Sequence, residues 1–459
     1  MNSGLLSRFT EFSKGKADCG KRCGQTGKMG AQGRWYRVIL SSQERDMLEG
    51  KFGEGARLAM QVVTEVGQLY GAERLVAVSQ VHIDGCLYGA VGDAGLEFAE
   101  KLAAVGAKVR VPTTLNVTSR DIERWREFRI PEDFSEKSRR MEKAYLAMGC
   151  IPTWTCAPYQ VGIVPRFGEQ IAWAESNAIC FANSVLGART NRYADLVDIC
   201  CAVVGKAPYF GLHIAANRRS QVLIEFDLSC REILTNDRAY SAAGYLVGEI
   251  AGSRIPAILG IPHDVSTDHL KVFSAAAASS GAVGLVHIVG VTPEARTLDE
   301  AFHGGVPEET VKVDRAALED ACRRLDRPSL APGARISVDV IMMGCPHASY
   351  SEICSVVSAM GDRKVKPGVE FWIQTSKACY DLLERSGVLE KAERAGIKLL
   401  RDSCMLEFPL EEWGFSTLVT NSGKAAHYAP GHVGLDTYLR DTLGCVEAAV
   451  TGEVASWIP

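Results

Sequence analysis

LVAVSQVHI (75–83), followed by FAEKLAAVGAKVRVPTTLNV (98–117), is the stretch that decides the fold. The first string is a short apolar run rich in Val and Ile. It reads as a buried strand, with His82 near its end and Asp84 just beyond. The second continues a helix (about 94–105), breaks at Gly106 and resumes as a strand (108–112). Strand, helix and strand in succession predict a parallel sheet covered by helices, an α/β fold. Such sheets carry ligand groups in the loops at the carboxyl ends of their strands. Pro112-Thr-Thr-Leu-Asn116 lies just past a predicted strand end, which makes Thr114 and Asn116 candidate substrate-binding residues.

The same rhythm extends both ways. Toward the N-terminus, Ser41-x-x-Glu44 fits a capping box, and the apolar positions from Leu48 to Leu69 suit a helix pair. Residues 1–37 are basic and glycine-rich and are expected to form a flexible extension. Their Cys19-x-x-x-Cys23 pair has no second pair nearby and predicts no zinc site. Toward the C-terminus, 121–149 reads as a charged helical face, followed by a helix near 194–204. A strand at 222–227, helices near 240–252 and 270–280 and a strand at 283–289 come next. A polar, acidic segment at 294–332 changes both composition and periodicity and is expected to be a connector at a subdomain boundary. The last part is again α/β. It has strands at 336–342, 369–375, 398–405 and from 417, helices at 350–360 and 380–396, and a polar turn after the last strand.

Composition narrows the function classes. The chain has 459 residues, 47% hydrophobic and 23% charged, with a net charge of −4, so neither nucleic acid nor an anionic membrane is an expected partner. The nearest approach to a spanning helix, 244–261, is interrupted by Glu249 and Arg254. Residues 1–36 lack the apolar stretch of a secretory signal, and the fifteen cysteines are odd in number. A reducing, cytoplasmic setting with free thiols is therefore expected, most of them as small core residues.

Residues 153–192 interleave polar groups with small residues and with Trp154, Trp173 and Phe181. Buried polar groups must be paired, so the density of Thr155, Cys156, Tyr159, Glu175, Ser176, Asn177, Asn183 and Ser184 predicts a built cavity. A polar helix-loop-helix under the surface is the plainer alternative. Cys156, Cys345 and Cys404 each lie where a predicted strand gives way to a loop. Three thiolates from three distant loops could hold an iron–sulfur cluster or another soft metal with a position open for substrate; three core cysteines would give the same pattern.

Gly344-Cys345-Pro346-His347-Ala348-Ser349 is more specific. A strand–glycine–cysteine–helix turn exposes a thiolate beside a helix N-terminus, where His347 and Ser349 can donate to an anion. An ordinary strand-to-helix turn is the alternative. Asn421-Ser422-Gly423-Lys424 could hold a carboxylate or phosphate through backbone amides, Ser422 and Lys424, although the phosphate-loop spacing is absent. Arg189 and Arg192 could clamp a carboxylate or form surface ion pairs. His82 with Asp84 could be an acid/base pair, or His82 a strand-end histidine satisfied by its neighbours. His263, Asp264, Asp268 and His269 resemble a metal set, but capping of the next helix explains them equally, and His287 reads as a hydrogen-bonded core residue.

Several strings together resemble one family. RLAMQVVTEVG, VPTTLNV, TCAPY, AWAESNAICFANSVLGARTNR, HIVGVTPEA, GCPHAS and NSGKAAHYAPG are similar to the large subunit, or catalytic region, of aconitase X, from about residue 38 to the C-terminus. GCPHASYSEI is also similar to the cluster-cysteine loop of ordinary aconitases. The resemblance implies an aconitase-superfamily-like α/β/α core of several subdomains with mainly parallel sheets, and a hydro-lyase. It implies an iron–sulfur cluster, 2Fe–2S or 4Fe–4S, on three cysteines that map to Cys156 in TCAPY, Cys345 in GCPHAS and, on a shorter match, Cys404 in DSCM. Ordinary aconitases take two ligands from a CxxC, which the body of this chain lacks, so their ligand set does not transfer. The family also has a small swivelling domain, fused or separate. Here the chain ends at Pro459, shortly after NSGKAAHYAPG, so a separate small subunit carrying a serine base is the expected partner.

For the elimination of water that this resemblance implies, Asn183, Ser184, Arg189, Arg192 and Lys424 are the expected donors to a small carboxylate substrate. His82 or His347 is the expected acid for the departing hydroxide. One branch of the family dehydrates cis-3-hydroxy-L-proline and another mevalonate 5-phosphate. A phosphate asks for more positive charge than Arg189, Arg192 and Lys424 supply, which favours the amino acid. A non-catalytic iron–sulfur or assembly protein on the same scaffold is the alternative from another class. The three intact cysteines weigh against it.

Overall fold

The computed structural model describes residues 38–456, so the basic extension and its Cys19/Cys23 pair lie outside them. The first helix starts on the predicted capping box. Ser41 Oγ accepts from the Glu44 amide, Glu44 Oε2 accepts from the Ser41 amide, and α1 (Ser42–Leu48) follows. Helix α2 (Glu54–Leu69) then buries Ala59, Met60 and Val63 along one face.

The deciding stretch departs from its reading in two places. Residues 75–83 are two strands, not one. β1 (Leu75–Ala77) pairs antiparallel with Lys206–Pro208 (β5), whereas β2 (Val81–Ile83) joins a parallel sheet between β3 (Thr113–Leu115) and β4 (Ala172–Trp173). The polar pair Ser79 and Gln80 breaks the apolar run: the Ser79 amide donates to Gln170 and the Gln80 carbonyl accepts from Ala172. After α3 (Tyr88–Ala104), the strand begins at Thr113 and not at 108. Pro112 has no N–H for a ladder, and the Val109 and Arg110 amides donate to Met148 and Ala202. Thr114 is thus inside the strand, and Asn116 is the residue beyond its end. Helices α4 (Glu132–Ala147), α5 (Ser176–Ser184) and α6 (Val197–Val204) complete this unit.

The middle unit is a four-stranded, wholly parallel sheet of order β8–β7–β6–β9, from β6 (Val222–Phe226), β7 (Pro256–Leu259), β8 (His287–Ile288) and β9 (Glu309–Val313). Its helices are α7 (Leu228–Arg231), α8 (Asp237–Ala251), α9 (Thr267–Ser280), α10 (Leu298–Ala301) and α11 (Arg315–Arg324). α8 and α9 cross at Gly244, where a Cβ would collide with the Phe273 carbonyl. The expected strand at 283–289 shrinks to β8, because the Val286 amide donates to Ser184 Oγ and not to a ladder. The polar segment 294–332 is not a connector throughout, since β9 and α11 lie within it. β9 is an edge strand with most of its residues exposed or half-buried, so its polarity reflects exposure and not missing structure.

The last unit is a five-stranded parallel sheet of order β13–β12–β11–β14–β15, flanked by the antiparallel pair β10 (Arg335–Ser337) and β16 (Glu453–Ala455). Its strands are β11 (Val340–Met343), β12 (Glu370–Thr375), β13 (Ile397–Arg401), β14 (Thr417–Thr420) and β15 (Asp436–Leu439). The chain winds outward from β11 to β13, then returns to the other side of β11 for β14 and β15. β11 and β14 therefore flank a topological switch point, where open α/β sheets form a crevice. The surrounding helices are α12 (Tyr350–Met360), α13 (Lys377–Arg385), α14 (Val388–Arg394), α15 (Gly423–His432) and α16 (Thr442–Thr451). The single helix expected at 380–396 is split at Gly387, which takes a left-handed φ of 71°. The polar turn expected after β14 is the start of α15, capped by Ser422. Among the described residues no helix is long and apolar enough to cross a membrane.

Candidate active site

The carboxyl ends of the first and last sheets meet at one cavity of about 250 Å³, and the middle sheet gives no residue to its wall. Three loops deliver Cys156, Cys345 and Cys404 to it. Each turns through a left-handed residue just before its cysteine: Trp154 (φ 43°), Gly344 (φ 89°) and Asp402 (φ 61°). At Gly344 only glycine fits, because a Cβ would collide with the Gln374 carbonyl. Asp402 holds its turn with a carboxylate that accepts from the Lys377 amide at 2.6 Å. A left-handed turn thus recurs just before all three cysteines, carried without strain by Gly344, and by non-glycine residues at Trp154 and Asp402.

Cys345 is buried, and Cys156 and Cys404 are half-buried at the cavity. Burial, with Glu175 nearby, pushes Cys156 up to about 12, and burial raises Cys345 and Cys404 as well. Among the described residues no three His, Cys, Asp or Glu side chains stand close enough to hold a single metal ion. Three thiols lining one cavity are the donor chemistry that a soft-metal group would take.

His347 lines the same cavity. Its amide donates to Cys156 Sγ at 3.2 Å, its Nδ1 meets Thr155 Oγ1 at 3.1 Å, and its Nε2 meets the Ser403 carbonyl at 3.1 Å. Burial pushes its imidazole down to about 4, so it is neutral near pH 7. Ser422 caps α15, accepting from the Ala425 amide while its hydroxyl donates to the Cys345 carbonyl. Lys424, in the first turn of that helix, sends Nζ to Glu175 Oε1 at 2.5 Å and to Ser176 Oγ at 3.4 Å.

The facing wall comes from the ends of β2, β3 and β4, which present Asp84, Asn116 and Glu175. Asn116 Nδ2 donates to Asp84 Oδ1, and Asn116 Oδ1 is buried without a partner. Burial, with Glu175 and Asp195 close by, raises Asp84 well above the usual carboxylate range. Glu175 goes the other way, because Lys424 and the Ala178 and Asn177 donors outweigh its burial. Asp195 and the Glu407–His432 pair (3.5 Å) stand at the rim.

Of the sequence candidates, Cys156, Cys345, Cys404, His347, Asn116 and Lys424 share this cavity, and Ser422 braces it from behind. The others are elsewhere. His82 is fully buried, bonds Thr114 Oγ1 through Nδ1 at 2.8 Å and is pushed down to about 4 by burial; neither residue lines the cavity. Asn183 and Ser184 are closed on backbone groups of their own unit and of 284–286. Arg192 donates to the Ala278 and Gly281 carbonyls at the end of α9. Arg189 lines a separate hollow with Arg218 and Glu294. Ser349 caps α12 and donates to Asp268. Asp195, Glu407, His432 and Gln374 escaped sequence reading because they come from a loop, a 3-10 turn, the end of α15 and strand β12, with no shared spacing. Glu175 had a signal, its place among the dense polar groups of 153–192 that predict a cavity.

Comparison with known proteins adds three kinds of match. The sequence matches the family models described as Aconitase X first domain over residues 37–216, second domain over 220–323 and third domain over 338–451. Each range encloses one of the three parallel sheets. The chain is 44% identical over 424 residues to the cis-3-hydroxy-L-proline dehydratase of Pseudomonas aeruginosa, covering 92% of this chain and 71% of that protein. It is 40% identical over 413 residues to the phosphomevalonate dehydratase large subunit of Methanothermobacter thermautotrophicus, covering 89% of this chain and 98% of that one. The solved structure of Thermococcus kodakaraensis aconitase X in its holo-form aligns with a TM-score of 0.80 and 32% identity, over 90% of this chain and all of that one.

Proposed function

The chain belongs to the aconitase X family, and on that premise we propose that it is the dehydratase of cis-3-hydroxy-L-proline, with an iron–sulfur cluster on Cys156, Cys345 and Cys404 and a separate small subunit over the cavity mouth. The observation that carries the substrate is the charge of the wall. Glu175, Asp195 and Glu407 stand there against Lys424, beside Asp84, whose proton burial retains. A ring ammonium suits such a wall, whereas a phosphate would meet like charge.

When bound, the cluster would supply Lewis-acid polarisation of the leaving hydroxyl. The chain's own residues do the rest. Lys424, anchored on Glu175, binds the substrate carboxylate. Asn116 Oδ1, free of any protein donor, accepts from the ring ammonium. Because Asn116 Nδ2 occupies Asp84 Oδ1, Asp84 Oδ2 carries the proton that burial retains and passes it to the departing hydroxide. The base that takes the carbon-bound proton is assigned to the small subunit. A second reading, mevalonate 5-phosphate dehydration, is favoured by the match over 98% of the length of a phosphomevalonate dehydratase large subunit.

The test is anaerobic co-purification with the small partner, measurement of iron and sulfide, and assay on both substrates. Iron, turnover of cis-3-hydroxy-L-proline and loss of both in Cys345→Ser are expected. Full activity without iron would sink the cluster. Turnover of mevalonate 5-phosphate alone would move the chain to the second reading. Iron with no turnover of either substrate would favour a non-catalytic role.

A further inference from the structure

His347 stands at the cavity but has no free polar atom. A carbonyl can only accept, so the Ser403 carbonyl requires a proton on Nε2. Nδ1 then carries the lone pair and accepts from the Thr155 hydroxyl. The backbone N–H donates to Cys156 Sγ, and the backbone carbonyl accepts from Lys271 Nζ at 3.1 Å. Lys271 is itself buried and paired with Glu352 and Asp268. The Gln160 amide, in the orientation that satisfies it, joins the same knot, donating to the His347 carbonyl and accepting from Lys271.

The partners are not a random sample of neighbours. Thr155 precedes Cys156, Ser403 precedes Cys404, and His347 itself lies two residues after Cys345. One side chain thus ties all three cysteine-bearing loops together, across the first and last units, and Lys271 brings in the middle unit that gives nothing to the cavity wall. We propose that His347 is a positioning residue that locks the three cysteine loops into one ligand frame, and that it does not transfer a proton in the reaction. The proposal rests on the reading that these cysteines hold the cluster. Residues around a metal's ligands fix their orientation, and hydrogen bonds to the ligating sulfurs tune the metal group's electronic state.

The experiment compares wild type, Thr155→Val, His347→Gln and His347→Ala as the reconstituted complex. It reads iron content, the visible and paramagnetic-resonance spectrum, the rate of iron loss to a chelator, and kcat. Thr155→Val leaves the imidazole able to carry a proton but removes one tie. It should lose iron about tenfold faster, with a shifted spectrum, the lower end of what such supporting partners contribute. His347→Gln cannot transfer a proton but keeps a donor for Ser403, so it should retain its cluster and a kcat within about tenfold of wild type. His347→Ala should lose iron fastest. A Thr155→Val protein with the wild-type spectrum and iron loss overturns the inference. So does a His347→Gln protein with a normal cluster and kcat down by about three orders of magnitude, the middle of the range a general acid supplies. Wild type that takes up no iron at all would instead overturn the cluster reading, and this inference with it.

Discussion

The two halves of residues 153–192 both bury polar side chains, and they do different work. The first half turns Cys156, Glu175 and Ser176 into the cavity. The second half closes on itself. Asn183 gives its two N–H groups to the Thr190 and Gly284 carbonyls and takes the Thr190 amide and Arg218 on its oxygen, so all four of its hydrogen bonds are made. Ser184 and Arg192 are likewise committed to backbone groups. A buried polar side chain whose capacity is consumed by the backbone is scaffold. One that ends on another side chain at a cavity, as Glu175 does on Lys424, belongs to a site.

The largest expected effect separates the halves at Lys424. Replacing it by Met leaves Glu175 buried without its counter-charge and removes the one Lys or Arg on the cavity wall among the described residues. We expect kcat/KM to fall about 10³-fold, corresponding to the ~4 kcal/mol typical of breaking a buried ion pair. Steady-state kinetics on the iron-loaded complex reads it. An unchanged kcat/KM would move Lys424 to the scaffold side of the comparison.

Asn183 tests the other half. Asn183→Leu strands the Thr190 amide, two carbonyls and one Arg218 donor in the interior. Stability should drop by about 3 kcal/mol, the upper range for unsatisfied buried groups. kcat/KM per iron-loaded molecule should stay within about twofold of wild type, since the packing that transmits a lost scaffold contact lies outside the cavity. Urea melts and kinetics together decide. A fall in activity at unchanged stability would make Asn183 a site residue after all.

This difference explains what could be read in the sequence. Alternation of strands and helices, cysteines at strand ends and the family strings are local properties, and they pointed to an α/β chain with Cys156, Cys345 and Cys404 on loops that the fold gathers at one cavity. Where a residue's hydrogen bonds go is not local. Arg189 and Glu175 are fourteen positions apart in one polar stretch, yet the turn at Gly187 (φ 67°) sends Arg189 to another hollow. Pro112 shifted a strand by five residues and moved Thr114 from loop to ladder. Glu407 and His432 meet at the rim only because the 3-10 turn Met405–Glu407 and helix α15 fold back on the same switch point. The role of the middle unit was also hidden, since Lys271 reads as one more helix lysine until its carbonyl partner is seen.

The smallest expected effect tests the scaffold through Gln170, a residue of the first half that does not line the cavity. Gln170 Oε1 accepts from His213 Nδ1 at 2.6 Å, and His213 Nε2 accepts from the Tyr193 hydroxyl at 2.5 Å. Burial, with Arg218 and Arg189 nearby, pushes His213 down to about 3. Its pKa is therefore lower folded than unfolded, where the ordinary value is 6.5. The stability it confers is present above pH 6.5 and is lost as pH falls toward 3. Between pH 7 and 5 the loss amounts to about 2 kcal/mol. Asp198, raised to about 7 by burial, acts in the opposite direction over the same range, so only a difference isolates the histidine. His213→Gln removes the titrating group, and its urea-melt stability should fall by about 2 kcal/mol less than wild type between those two pH values. Equal losses in both proteins would mean that His213 takes up its proton in the folded state, and that this part of the scaffold is open to water as the cavity half is.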